Sequence, residues 1–85
     1  MPLFVIERNF ADQLEMTKEE ADNVKAVNDD VGVKWLFSFL RADKKKTYCL
    51  YEAPSVEAIC EAAARAGVPA DVIVEVDELR PEQFV

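Results

Sequence analysis

The sequence predicts an α+β fold in which four β-strands and two α-helices follow one another as β-α-β-β-α-β. Two segments repeat apolar residues every three or four positions, as one face of a helix does. Four segments are rich in β-branched and aromatic residues, which favour strands. A chain of 85 residues has room for one compact core and not for two. We therefore predict one domain over residues 1–85, with residues 77–85 as its C-terminal tail.

The first strand and the first helix come from residues 3–32. Residues 3–6 are all apolar, which is typical of a strand buried on both faces. Thr17 and Glu20 have the spacing of a capping box, in which side chains bind the free backbone amides at a helix start. Gly32 is a typical helix stop. Between them an apolar stripe of helical spacing predicts the buried face: Ala21, Val24, Val27 and Val31.

Residues 33–42 and 47–51 predict a hairpin of two strands, joined by a polar turn at residues 43–45. Alternation along the first of these strands places one set of side chains on each face of the sheet. We expect Trp35, Phe37 and Phe39 on one face and Leu36, Ser38 and Leu40 on the other. Both faces of this strand are therefore largely apolar.

The second helix and the last strand come from residues 55–76. Ser55 is a typical N-cap, and Gly67 and Pro69 end the helix. Its predicted buried stripe is Val56, Ile59, Cys60 and Ala63. Residues 72–76 predict the fourth strand. The tail that follows carries three apolar side chains: Leu79, Phe84 and Val85.

This order of elements predicts a ferredoxin-like sandwich, a four-stranded antiparallel sheet with two helices on one face. The expected spatial order of the strands is 4-1-3-2. The second strand leaves apolar side chains on the face without helices, whichever way it is turned, and a large exposed apolar face is typical of an interface. We therefore predict a homodimer of the dimeric α+β barrel type, with a ligand cavity between the two sheets.

The composition excludes several classes of partner and compartment. The net charge is −7, from 17 acidic and 10 basic side chains, and it repels nucleic acid and anionic membranes. No apolar run reaches membrane-spanning length, and no basic segment precedes one near the N-terminus. Cys49 and Cys60 fit neither a disulfide framework nor a zinc motif. We expect a cytoplasmic protein.

Two glutamates lie near the ends of otherwise apolar strands: Glu7 in the first and Glu52 in the third. We expect these two strands to be parallel neighbours at the centre of the sheet, about 4.8 Å apart. Glu7 and Glu52 would then share a proton or a cation at one end of the sheet. The alternative is that each glutamate closes its strand in water or pairs with an arginine.

Three further residues of the sheet are candidates for ligand contact. Trp35 and Tyr48 offer aromatic surface with one polar group each, although packing explains them equally well. Cys49 is a candidate metal ligand or a small buried apolar residue. Because Cys49 and Glu52 are three positions apart, a regular strand directs their side chains to opposite faces.

The stretch CLYEAPSVEA at residues 49–58, continued by AGVPAD at 66–71 and EV at 75–76, resembles a signature of small bacterial proteins of mostly unknown function. That family includes a nickel-binding protein and has a ferredoxin-like homodimeric fold. The resemblance implies a dimer that binds a metal ion or a small ligand, with Cys49 and Glu52 as the matching metal ligands. The nickel-binding relative uses histidines and this chain has none, so the cofactor stays unknown.

Two hypotheses of function follow. The first is a homodimeric, non-catalytic binding module for a metal ion or small ligand, with Glu7, Trp35, Tyr48 and Glu52 as candidate contacts. The second is a small cofactor-free enzyme of the dimeric α+β barrel type, with Glu7 or Glu52 as general base and an apolar pocket around Trp35. Dinucleotide-binding, P-loop, zinc-protease and serine-hydrolase motifs do not occur in the sequence.

Overall fold

The structure, a computed structural model, describes residues 1–84, so that Val85 of the predicted tail lies outside the described residues. Its main elements are β1 (Leu3–Asn9), α1 (Lys18–Val31), β2 (Lys34–Leu40), β3 (Lys46–Glu52), α2 (Val56–Ala66) and β4 (Val72–Val76). A short 3₁₀-helix, Pro81–Phe84, lies in the tail. The predicted β-α-β-β-α-β order is confirmed. No helix within residues 1–84 has the length and apolar character needed to cross a membrane.

The four strands form one sheet in the order β2-β3-β1-β4, and each strand is antiparallel to its neighbours. This confirms the ferredoxin-like antiparallel sheet. The expectation that β1 and β3 are parallel was wrong, because Leu3 lies opposite Glu52 and Glu7 lies opposite Tyr48. The crossover through α1 makes β1 and β2 parallel with β3 between them. Since a hairpin joins β2 to β3, β3 runs opposite to both.

The core lies between the sheet and the two helices. Alternate residues of β1 and β3 are buried on this helix side of the sheet, and α2 contributes Ile59. The side chains of Ile6 and Ile59 are fully buried, which stabilises the fold by about 1.5–3 kcal/mol each. The buried cluster consists of Phe4, Ile6, Val33, Cys49, Tyr51, Ala53, Ile59 and Ala62.

The helix ends are formed by the residues that the sequence indicates. Thr17 Oγ1 accepts a hydrogen bond from the Glu20 amide at 3.2 Å, and Ser55 Oγ accepts one from the Ala58 amide at 3.2 Å. Gly32 and Gly67 end the helices with positive φ angles of 87° and 71°. Glycine adopts this left-handed conformation without the steric cost that a Cβ atom brings.

The predicted buried stripe of α2 was wrong in two positions. Val56 and Cys60 are exposed, whereas Ile59, Ala62 and Ala63 are buried. Both sets of residues have helical spacing, so periodicity did not distinguish them. Small alanine side chains allow the helix backbone to lie close to the sheet, which favours the face that carries them.

A β-bulge divides the aromatic stripe that the sequence predicts on β2. The register shifts between Trp35 and Phe37, so that Trp35 lies opposite Tyr51 and Phe37 lies opposite Leu50. An extra residue in one strand reverses the faces of the residues after it. Trp35 therefore lies on the helix side with Ser38 and Leu40. Phe37 and Phe39 lie on the other side, called here the open face.

Candidate binding site

Three buried polar side chains meet on the helix side of the sheet: Arg8 of β1, Asn28 of α1 and Tyr51 of β3. Arg8 is 6% exposed and Tyr51 is 3% exposed. The Tyr51 hydroxyl accepts hydrogen bonds from an Arg8 guanidinium nitrogen at 3.5 Å and from Asn28 Nδ2 at 3.4 Å. Arg8 also donates to the backbone carbonyl of Pro69. We call these three residues the buried polar cluster.

Arg8 is buried because of its position in β1. It continues the series Phe4 and Ile6 on the helix side, where the next inward position is a charged residue. The guanidinium carbon lies 5.7 Å from the centre of the Tyr51 ring, within the range of a cation–π contact. Its side chain therefore has aromatic, hydroxyl and carbonyl partners, which partly replace the water that burial removes.

No carboxylate of residues 1–84 forms an ion pair with Arg8. The ion pairs of the described chain join other side chains, such as Arg65 with Asp30 and Arg41 with Asp43. A buried charge without a counter-ion is costly, because neutral partners replace only part of its hydration. Within the described chain, Arg8 is thus a buried cation without an ionic partner.

A cavity of about 140 Å³ lies against the buried polar cluster. Its lining on the sheet comes from three strands: Arg8 of β1, Thr47, Cys49 and Tyr51 of β3, and Trp35, Ser38 and Leu40 of β2. The indole N–H of Trp35 donates to Ser38 Oγ at 2.8 Å, which fixes the ring in the cavity wall. The rest of the lining comes from other parts of the fold: Phe10, Leu14, Met16, Val24 and Val68.

The loop between β1 and α1 forms one wall of this cavity. Two backbone hydrogen bonds attach the loop to the β2–β3 hairpin, from the Phe10 amide to the Lys45 carbonyl at 2.8 Å and from the Leu14 amide to the Lys44 carbonyl at 2.6 Å. These bonds hold the apolar side chains of the loop over the edge strand β2. The cavity is therefore bounded by segments that are distant in the sequence.

Glu7 and Glu52 lie on the open face, at opposite ends of the sheet. Glu7 lies opposite Tyr48, which is four positions before Glu52 on β3, so the two glutamates are about 13 Å apart along the strand. The predicted carboxylate pair was wrong because β1 and β3 are antiparallel. Neither glutamate lines the cavity beside Arg8.

Glu7 forms an ion pair with a lysine of the neighbouring strand. Lys46 Nζ lies 2.7 Å from Glu7 Oε1 and 5.3 Å from the centre of the Tyr48 ring. The hydrogen bond that Lys46 donates to Glu7, together with the negative charge of Glu7, raises the pKa of Lys46. At the other end, Glu52 lies opposite Lys34 in the register of β2 and β3. Each end of the open face thus carries one positive and one negative side chain.

The candidate metal ligands do not come together within this chain. Cys49 is buried on the helix side, where its thiol contacts Thr47 Oγ1 at 3.5 Å, whereas Glu52 lies on the open face. No group of three or more cysteine, aspartate or glutamate side chains of residues 1–84 has the geometry of a metal site. Nickel favours nitrogen and sulfur donors, and the chain has no histidine. The described residues therefore do not fit a nickel ion.

Sequence reasoning missed the buried polar cluster, although two signals were present. Arg8 follows Phe4 and Ile6 at alternate positions, which predicts an inward-facing charge. Asn28 lies four residues after Val24 on the apolar face of α1. A charged or amide side chain at a buried position requires a partner. Trp35, a candidate from the sequence, lies in the cavity wall, and Tyr48 lies on the open face.

Comparisons with known proteins place the chain in one family. A family model described as "Nickel responsive protein SCO4226-like" matches residues 4–76. The crystal structure of SCO4226 from Streptomyces coelicolor A3(2) has 26% sequence identity and a TM-score of 0.78, and the match covers 92% of this chain and 99% of that one. No curated protein matches the chain. Since the family model spans most of the sequence and confirms the resemblance at residues 49–76, the chain belongs to the SCO4226-like family of nickel responsive proteins.

Proposed function

We propose that this protein is a non-catalytic, homodimeric binding module. The observation that carries the dimer is the open face of the sheet, which has exposed apolar side chains on both edge strands, β2 and β4. Phe37 is 50% exposed and Phe39 is 66% exposed, and their rings contact each other edge to face with centres 5.5 Å apart. Val72 and Val74 of β4 are also exposed. Monomeric proteins rarely leave a contiguous apolar surface of several hundred Å² in water.

The size and charge of the open face favour a second copy of the chain as its partner. Four strands at about 4.8 Å spacing give a face roughly 19 Å wide. Each end carries both signs of charge, Glu7 with Lys46 and Glu52 with Lys34. A two-fold axis through the face brings positive side chains of one protomer toward negative side chains of the other, as a self-complementary interface requires.

Binding, and not catalysis, is the role that the geometry favours. Glu7 is held by Lys46, and neither Glu7 nor Glu52 lines the cavity beside Arg8, so both candidate general bases lie outside that cavity. The family description, nickel responsive, supports a role in binding or sensing. A metal ion held by a dimer would need ligands from both protomers, since the described residues of one chain supply no set of three.

Analytical ultracentrifugation tests the dimer. The wild-type chain has a mass of 9.6 kDa and is expected to sediment at micromolar concentration as a species of twice that mass. Phe39→Glu places a charge among the exposed apolar side chains of the open face and is expected to give a monomer. Val56→Glu is the matched control, because Val56 is an exposed apolar residue on α2. A monomeric wild type contradicts the proposed dimer.

Isothermal titration calorimetry tests whether the ligand is a metal ion. Nickel, zinc, copper and cobalt are titrated separately into metal-free protein. Saturable heat at one ion per dimer supports a site shared by the two protomers. Flat traces for all four ions contradict a metal-binding role and leave the small-ligand form of the proposal in place.

A further inference from the structure

We propose that the cavity beside Arg8 binds a small monocarboxylic acid with an apolar body, such as an aromatic or branched-chain acid. The inference depends on the proposed role in binding but not on the dimer. It names the ligand class of a site on the helix side of each protomer, remote from the open face. Three observations carry it: the charge of Arg8, the size of the cavity and the apolar character of its walls.

Arg8 supplies the recognition of the acid. Its guanidinium has five N–H donors, and the described hydrogen bonds to Pro69 and Tyr51 use two of them. A planar guanidinium binds a carboxylate through two parallel hydrogen bonds, which are stronger than bonds between neutral groups. A bound carboxylate would therefore provide the counter-ion that the described chain does not give to Arg8.

The cavity limits the size of the acid. Its volume of about 140 Å³ is close to that of an apolar protein cavity that accommodates benzene, about 150 Å³. One aromatic ring, or a branched chain of four or five carbon atoms, fills this space. Thr47 and Tyr51 lie with Arg8 in the lining, so that the polar residues of the cavity are grouped on the sheet.

The walls exclude more highly charged ligands. Apart from the polar residues on the sheet, the lining consists of aromatic and aliphatic side chains such as Phe10, Leu14 and Val24. These side chains cannot solvate a second negative charge. The net charge of −7 also repels multivalent anions. A phosphate dianion is therefore disfavoured, and a monoanion with an apolar body fits.

Fluorescence of Trp35 reports binding, because it is the only tryptophan of the chain and lies in the cavity wall. The protein is titrated with benzoate and isovalerate, and separately with benzamide and isovaleramide, the neutral compounds of similar shape. We expect a saturable change with an acid and binding of the matching amide that is about tenfold weaker or more, since the charged hydrogen bond is lost. Calorimetry is expected to give one acid per chain.

Arg8→Met removes the charge and keeps most of the side-chain length, and circular dichroism checks that the variant is folded. We expect it to lose the preference for acid over amide. Arg41→Met is the matched control, because Arg41 is an exposed arginine on the hairpin. If Arg8→Met does not fold, Leu40→Trp puts a larger side chain into the cavity lining and is expected to abolish binding in calorimetry. Phe39→Trp, the adjacent position on the open face, is its control.

Equal affinity for acid and amide contradicts the proposal and leaves Arg8 with a purely structural role. Binding of none of the four compounds contradicts it as well. Both outcomes are distinct from failure of the proposed function. The proposed function is tested by the mass of the protein in ultracentrifugation and by its titration with metal ions. The monomeric Phe39→Glu variant is expected to bind the acid with unchanged affinity, because the cavity lies on the other side of the sheet.

Discussion

The hydroxyl of Tyr51 accepts hydrogen bonds from two donors that come from different elements, Arg8 of β1 and Asn28 of α1. It therefore connects the sheet to the first helix through polar contacts inside an apolar core. Removal of an acceptor leaves its buried donors without partners, and that loss costs more than the hydrogen bond contributes when it is formed. The Tyr51 hydroxyl thus stabilises the buried polar cluster through both of these hydrogen bonds.

We predict that Tyr51→Phe lowers the free energy of unfolding by about 1–3 kcal/mol, because Arg8 and Asn28 lose their shared acceptor in a buried site. Urea denaturation measures the change. The double variant with Asn28→Ala is expected to lose less than the sum of the two single losses. Additive losses would show that the Asn28–Tyr51 contact makes no contribution.

Asp43 stabilises the hairpin turn through charge. The hydrogen bond from Arg41, followed by that from the Lys45 amide, lowers the pKa of Asp43 below its usual 3.8. A lowered pKa in the folded state stabilises the fold above pH 3.8, and this contribution is lost as the pH falls through the lowered value. We predict that Asp43→Asn lowers the melting temperature at pH 7 and that this difference shrinks toward pH 2.

Melting curves of the wild type and Asp43→Asn between pH 2 and pH 7 measure this effect. Arg41→Gln is expected to reproduce most of the loss in melting temperature at pH 7, because it removes the hydrogen bonds from the Arg41 guanidinium to Asp43. A difference between wild type and Asp43→Asn that is constant over this pH range would contradict the role of the carboxylate charge.

At the scale of elements, the ends of the helices depend on local side chains, whereas their buried faces depend on packing. Ser55 caps α2 in the predicted manner, yet α2 presents Ala62 and not Cys60 to the core. The bulge in β2 has a similar origin, since it places Trp35 over the core and Phe37 on the open face. Residues close in the sequence determine the helix caps. Contacts with residues distant in the sequence determine which face of a helix or strand is buried.

We predict that Ser55→Ala destabilises the protein by about 1 kcal/mol, because the Ala58 amide loses its side-chain acceptor. Ser55→Asp retains an acceptor at the N-cap and is expected to have near wild-type stability. Guanidinium chloride denaturation of the three proteins gives the comparison. Equal losses for Ala and Asp would indicate that the serine acts through packing and not through its cap.

At the scale of the whole molecule, one sheet separates two surfaces of different character. The helix side contains the core, the buried polar cluster and the cavity, whereas the open face is apolar and exposed in the described chain. The two proposals concern opposite sides of this sheet. Dimerisation would bury the open face without closing the cavity, so the two roles are structurally independent.

The proposed dimer predicts a melting temperature that rises with protein concentration, because only folded chains present the open face. A hundredfold increase in concentration is expected to stabilise the dimer by about 2.7 kcal/mol through mass action. Differential scanning calorimetry at several concentrations measures the shift. Phe39→Glu should show no such dependence, and an invariant melting temperature in the wild type would contradict the dimer.

The sequence by itself determined the order of the elements, the caps at Thr17 and Ser55 and the stops at Gly32 and Gly67. These features depend on contacts between residues a few positions apart, which the sequence displays directly. It also determined the family, through the motif at residues 49–76. The tertiary structure decided the separation of Glu7 from Glu52, the bulge in β2 and the meeting of Arg8 with Tyr51. Those features depend on which strands become neighbours and in which direction, and residues far apart in the chain decide this together.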